Sequence, residues 1–120
     1  MSLNEHITNP RNAGELPDAN AIAERTNPVC GDTLRLSLSL RDGRVEVARF
    51  LAYGCPPTIA CGSALTELIQ GKTIDEAMAL TRRDLINELG GLPLRKQHAA
   101  ALALETLRVA IEASCSSNYV

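Results

Sequence analysis

The sequence predicts an α+β fold: a small antiparallel sheet of about three strands packed against carboxy-terminal helices. Three observations predict it. Leu34, Leu36, Leu38 and Leu40 alternate with Arg35, Ser37 and Ser39, the period of two expected of a half-buried strand. Asp42-Gly43 then separates this run from a second one, "VEVARFLAYG", and an Asp-Gly pair between two such runs is a strong hairpin signal. Beyond these strands the apolar spacing becomes helical, so strands come first and helices after.

Taken in order, the first thirty residues are rich in Asn, Pro, Gly and Asp. They read as a short helical turn near residues 3–8, then loop, with a weak edge strand near 22–26. The hairpin occupies residues 34–54. A helix over residues 59–70 follows, carried by the stripe Ile59, Ala60, Ala64, Leu65, Leu68 and Ile69 and ended by Gly71. Thr73 stands three residues before Glu76, a capping box that opens a second short helix. Thr81 caps a third, with Asp84 in its first turn and Gly90-Gly91 as its stop. The last helix is expected from Pro93 to about Ser114, since proline favours the first helical turn. Its apolar arc is broad, which lays it across the sheet.

A length of 120 residues predicts a single domain, residues 1–120, with one core. Twelve Lys+Arg against fourteen Asp+Glu leave a net charge of -2, so no basic excess is available to neutralise a phosphate backbone. Phe50, Tyr53 and Tyr119 are the only aromatics, too few for a base-stacking platform. Nucleic acid is thus excluded as the expected partner. The amino-terminal stretch has no apolar signal region, and no run approaches the length of a membrane span. A cytoplasmic protein is expected. In a reducing compartment Cys30, Cys55, Cys61 and Cys115 are not a disulfide framework, which leaves metal binding, thiol chemistry or packing.

Hairpin geometry bears on two of these thiols. With Asp42-Gly43 as a two-residue turn, Arg41 faces Arg44 and Leu40 faces Val45. The same ladder carried to its open end sets Cys30 opposite Cys55, at a spacing that suits two thiolates on one metal. Asp32 lies on the same face. This straight register also turns Arg49 inward and Phe50 outward, which a bulge near Ala48-Arg49 would correct by shifting the pairing one residue. Of the two histidines, His98 lies early in the long helix, whose start can meet the mouth of the hairpin. Cys30, Asp32, Cys55 and His98 then form one mixed metal site, a tetrahedron for zinc or a ligand set for iron–sulfur. A strand-end thiol pair beside a turn aspartate also fits Cys30, Asp32 and Cys55. Cys61 is an alternative third ligand or a small buried side chain, and Cys115 sits in a Ser-rich tail.

The segments "HITNPRNAG", "NPVCGD", "ARFLAYGC", "GKTIDEA" and "LPLRKQHAA", in that order, resemble the NifU/IscU-type iron–sulfur cluster assembly scaffolds over almost the whole chain. The resemblance implies a non-enzymatic scaffold that builds a transient cluster of the 2Fe–2S kind, or holds zinc. It implies sulfur from a cysteine desulfurase, iron from an iron donor, and delivery to acceptor apo-proteins. By motif position Cys30 and Cys55 are ligand cysteines, Asp32 is the aspartate that keeps the cluster labile, and His98 is the histidine beside the third cysteine. Lys96 matches a lysine near the site. The chain departs from the pattern where the third cysteine would follow His98, since residue 99 is alanine. It departs again in "PPTIACGSA", in "LPLRK" at the chaperone-docking segment, and at Ile7. Two rival readings remain: a zinc-bound sulfur-acceptor or regulatory partner of a desulfurase, using Cys61 or Cys55, and a degenerate scaffold kept for interaction alone.

Overall fold

A computed structural model describes residues 2–29 and 31–117, with side chains as far as residue 114. The order is α1 (Leu3–Thr8), β1 (Ala21–Thr26), β2 (Thr33–Arg41), β3 (Arg44–Tyr53), α2 (Pro56–Ile69), α3 (Ile74–Met78), α4 (Arg82–Glu88), a 3-10 turn (Leu94–Lys96) and α5 (His98–Ser117). The strands form one antiparallel sheet in the order β1-β2-β3. One face of that sheet, carrying Leu34, Leu36, Leu38, Ala48 and Phe50, is fully covered. The helices α2 and α5 do the covering, α5 across β1 and β2 and α2 chiefly along β3. This is the α+β architecture that the alternation and the hairpin predict.

The turn is as expected. Asp42 and Gly43 both take positive φ, 53° and 74°, the backbone of a turn whose twist matches two right-twisted strands. The bulge, however, sits beside the turn and not at Ala48-Arg49. Leu40 pairs with Val45 but Ser39 pairs with Val47, so Glu46 is the extra residue. The cause lies outside the hairpin: Val45 donates to Lys72 O and accepts from Gly71 N, and Ala48 N donates to the Gln70 side chain. These contacts pin the outer edge of β3 next to the turn. The shift brings Phe50 opposite Leu36 and under cover, and sends Arg49 outward. It also corrects the straight register: Thr33 faces Tyr53, one place from the alignment that would set residue 30 opposite Cys55.

Two helix starts differ from expectation. Helix α2 begins at Pro56, three residues early, because two prolines in its first turn lack the N–H groups a helix start leaves unpaired. Pro93 caps only the 3-10 turn, and α5 begins at His98. The capping boxes at Thr73/Glu76 and Thr81/Asp84 are both formed, with a third at Ser2/Glu5. No helix among the described residues is long and apolar enough to cross a membrane.

Candidate metal centre

Three elements meet at the open end of the hairpin. Between β1 and β2, Asn27 N donates to Asp32 O at 2.8 Å, and the Asn27 side chain accepts from Val29 N at 2.9 Å. This delivers Asp32 one residue ahead of β2, on the same face as the buried leucines, where it is 4% exposed. From the other strand, Gly54 turns the chain at φ 136° into Cys55, the N-cap of α2. An N-cap side chain normally accepts from the second or third helical N–H. Here the second helical residue is Pro57, which has none, and Thr58 N donates to Cys55 O instead. The Cys55 thiol is therefore released from capping. It donates to Asp32 Oδ2 at 3.1 Å, while Cys55 N donates to Asp32 Oδ1 at 3.1 Å. The third element is the start of α5, where His98 Nε2 lies 3.7 Å from Asp32 Oδ2 and Nδ1 lies 3.1 Å from Arg95 O.

Thr58 completes the arrangement. Its hydroxyl donates to Asp32 Oδ2 at 3.1 Å and stands 3.6 Å from Cys55 Sγ. Burial alone would push the Asp32 carboxyl up. Hydrogen bonds from the Cys55 thiol, the Cys55 N–H and the Thr58 hydroxyl, together with the neighbouring His98 ring, outweigh it and hold the group below its ordinary value. Asp32 thus enters the site as a carboxylate, an acceptor with lone pairs to offer a cation.

One ligand atom each from Asp32, Cys55 and His98 falls within 4.8 Å of the other two. Ligands bound at about 2.0–2.3 Å to one tetrahedral ion stand roughly 3.3–3.8 Å apart, so small side-chain movements would bring all three onto one ion. A thiol, an imidazole and a carboxylate form a mixed donor set suited to zinc or ferrous iron and poor for calcium or magnesium.

The predicted site residues fall into three groups. The structure brings Asp32, Cys55 and His98 together. Cys30 lies outside the described residues, as does the side chain of Cys115. Cys61 is elsewhere: six residues along α2, wholly buried in the core, with burial, and secondarily Cys55, pushing its thiol up to about 12. Lys96 is half-buried at the end of the 3-10 turn, two residues before His98. Sequence reasoning missed Thr58. The available signal was its place three residues after Cys55, which puts it on the same side of a helix that starts at Pro56.

The profile of the NifU-like N terminal domain matches residues 2–118. The chain belongs to this NifU-like family. Among its relatives, the iron-sulfur cluster assembly scaffold protein IscU 1 of Archaeoglobus fulgidus is 43% identical over 107 residues, which are 89% of this chain and 70% of that protein. The iron-sulfur cluster assembly scaffold protein IscU of Aquifex aeolicus is 44% identical over 110 residues, 90% of this chain and 70% of that one. The nitrogen fixation protein NifU of Azotobacter chroococcum is 40% identical, and there the match spans 91% of this chain and 36% of the relative. The crystal structure of a nitrogen-fixing NifU-like protein (N-terminal) from Brucella abortus superposes with a TM-score of 0.74 over 92% of this chain and 89% of that one. At 21% identity that likeness is one of fold. In this NifU-like domain residue 99, next to His98, is a buried alanine, so no thiol follows the imidazole.

Proposed function

We propose that this NifU-like chain is an iron–sulfur cluster assembly scaffold. It holds iron, a nascent 2Fe–2S cluster or zinc between Asp32, Cys55 and His98, with Cys30 as a further thiolate, and passes its cargo to acceptor apo-proteins. The observation that carries this reading is the convergence of thiol, carboxylate and imidazole from three separate elements, with their ligand atoms within 4.8 Å of one another. Relatives that carry the name of cluster assembly scaffold support it. The scaffold works in the cytoplasm, takes sulfur from a cysteine desulfurase and iron from an iron donor, and catalyses no reaction itself. A carboxylate holds a thiolate-bound iron–sulfur cluster less firmly than a third cysteine would, which suits cargo that must leave.

The test is metal analysis of protein purified without added metal, followed by anaerobic reconstitution with iron and sulfide read by absorption. The wild type is expected to take up metal stoichiometrically and to develop a cluster spectrum, and Cys55→Ala to do neither. Stoichiometric metal on Cys55→Ala would overturn the reading. A wild type that folds but takes up neither metal nor cluster would favour the interaction-only scaffold.

The alternative of a zinc-bound sulfur acceptor rests on one observation, the Cys55 thiol set beside a carboxylate and an imidazole that can hold zinc. It centres on Cys55, since Cys61 is sealed in the core. Mass spectrometry after incubation with a desulfurase and cysteine distinguishes it, through a persulfide on Cys55.

A further inference from the structure

Thr58 is 1% exposed and is spent in an unusual way. The other buried helical threonines, Thr66 and Thr106, donate to carbonyls one turn back, Ser63 O at 2.8 Å and Leu102 O at 2.7 Å. Thr58 donates to a side chain, the Asp32 carboxylate. The bond is not needed to aim that carboxylate. Oδ1 is already held by Cys55 N, and the group lies against Gly54 so closely that a Cβ there would collide with it. The Thr58 hydroxyl falls on Oδ2, the oxygen that faces both Cys55 Sγ at 3.1 Å and His98 Nε2 at 3.7 Å. That is the oxygen a shared ion would take.

We infer that Thr58 is a positioning residue that loosens the site: acting through Asp32, its hydroxyl competes with a bound divalent cation for Oδ2 and so speeds the cation's release. The inference rests on the metal-holding reading of the same site. Its physical basis is an asymmetry between two states. A free carboxylate accepts a strong, charge-assisted hydrogen bond, whereas one that shares its charge with a cation accepts a weaker one. Removing the donor therefore raises the free energy of the ion-free site more than that of the loaded site. It also frees a lone pair on the ligating oxygen.

The experiment uses the full chain and zinc alone as the probe. Affinity is read by competition with a chromogenic chelator, and release is read as the rate of transfer to excess chelator. Thr58→Val keeps the shape and removes the donor; Thr58→Ser keeps the donor. Thr58→Val is expected to hold zinc about threefold to tenfold more tightly and to release it correspondingly more slowly, a fraction of the worth of a hydrogen bond to a charged group. Thr58→Ser is expected to match the wild type. Thermal unfolding of each variant, read separately, reports any structural loss, and Thr58→Ala carries the same expectation if the valine variant does not fold. Zinc release from Thr58→Val at or above the wild-type rate would overturn the inference, and so would Thr58→Ser behaving like Thr58→Val. A wild type that takes up no zinc would overturn the inference, and one that also takes up neither iron nor cluster on reconstitution would overturn the metal-site reading itself.

Discussion

Asp32 occupies the space that any side chain at residue 54 would need. A Cβ built on Gly54 would collide with the Asp32 carboxylate and stand 3.0 Å from its Cα, and Gly54 holds φ at 136°, where L-residues are strained. Glycine is thus required twice over, by the backbone and by the carboxylate. Gly54→Ala is expected to destabilise the protein by at least about 2 kcal/mol. It is also expected to lower zinc uptake, because relief of the clash must move either Asp32 or Cys55. Urea unfolding and chelator competition on the same preparation check both. Unchanged zinc affinity would show that the carboxylate can move without leaving the site.

A second glycine is set by packing alone. Gly62 lies inside α2, where alanine would ordinarily add about 1 kcal/mol of helix stability. Its Cβ, however, would fall 2.5 Å from Phe50 Cδ2 and 2.9 Å from Cε2, on a ring that is itself 2% exposed and enclosed by the core. Overpacking of this kind costs about 1–3 kcal/mol and outweighs the propensity gain. Gly62→Ala is expected to lower the denaturant midpoint without changing its slope. A raised midpoint would mean that Phe50 can withdraw.

Cys55 and Cys61 should separate in a labelling experiment. Cys61 is fully buried with its thiol pushed up to about 12, whereas Cys55 is half-buried at the surface site. The thiolate is the reacting form, so native Cys61 is expected to resist iodoacetamide at pH 8 over times that modify Cys55 fully. Peptide mass spectrometry checks this, and unfolding in urea should abolish the difference.

Stability should fall on mild acidification through His6. Its side chain is wholly buried, with Nδ1 2.6 Å from Ser63 Oγ and no hydrogen-bond partner at Nε2 among the described residues. Burial pushes its pKa below the ordinary 6.5, since a charged ring would leave a donor unpaired. The unfolded chain then binds more protons than the native one below about pH 6.5. The His6 contribution is therefore complete above that value and is lost as the pH falls towards the depressed native one. Urea midpoints between pH 7.5 and 5.5 should decline in the wild type and decline less in His6→Gln. Equal slopes in the two proteins would exclude His6 as the cause.

The sequence by itself determined several features that depend on neighbours within one turn. The boxes at Thr73/Glu76 and Thr81/Asp84, the Asp42-Gly43 reversal and the inward leucines of β2 are relations between residues four apart or fewer, set by local hydrogen bonds and side-chain period. It also named Cys30, Asp32, Cys55 and His98 as one site, because the hairpin reverses the chain and a long apolar helix must lie across the sheet; among the described residues Asp32, Cys55 and His98 do meet. Tertiary structure decided the rest. The bulge moved to Glu46 because Gln70, Gly71 and Lys72, more than twenty residues on, hydrogen-bond to the edge of β3. The bonds from the Cys55 thiol and the Thr58 hydroxyl to Asp32 Oδ2 likewise depend on groups brought together from separate elements. Local pattern is blind to such contacts, since their partners are chosen by how whole helices and strands pack and not by spacing along the chain.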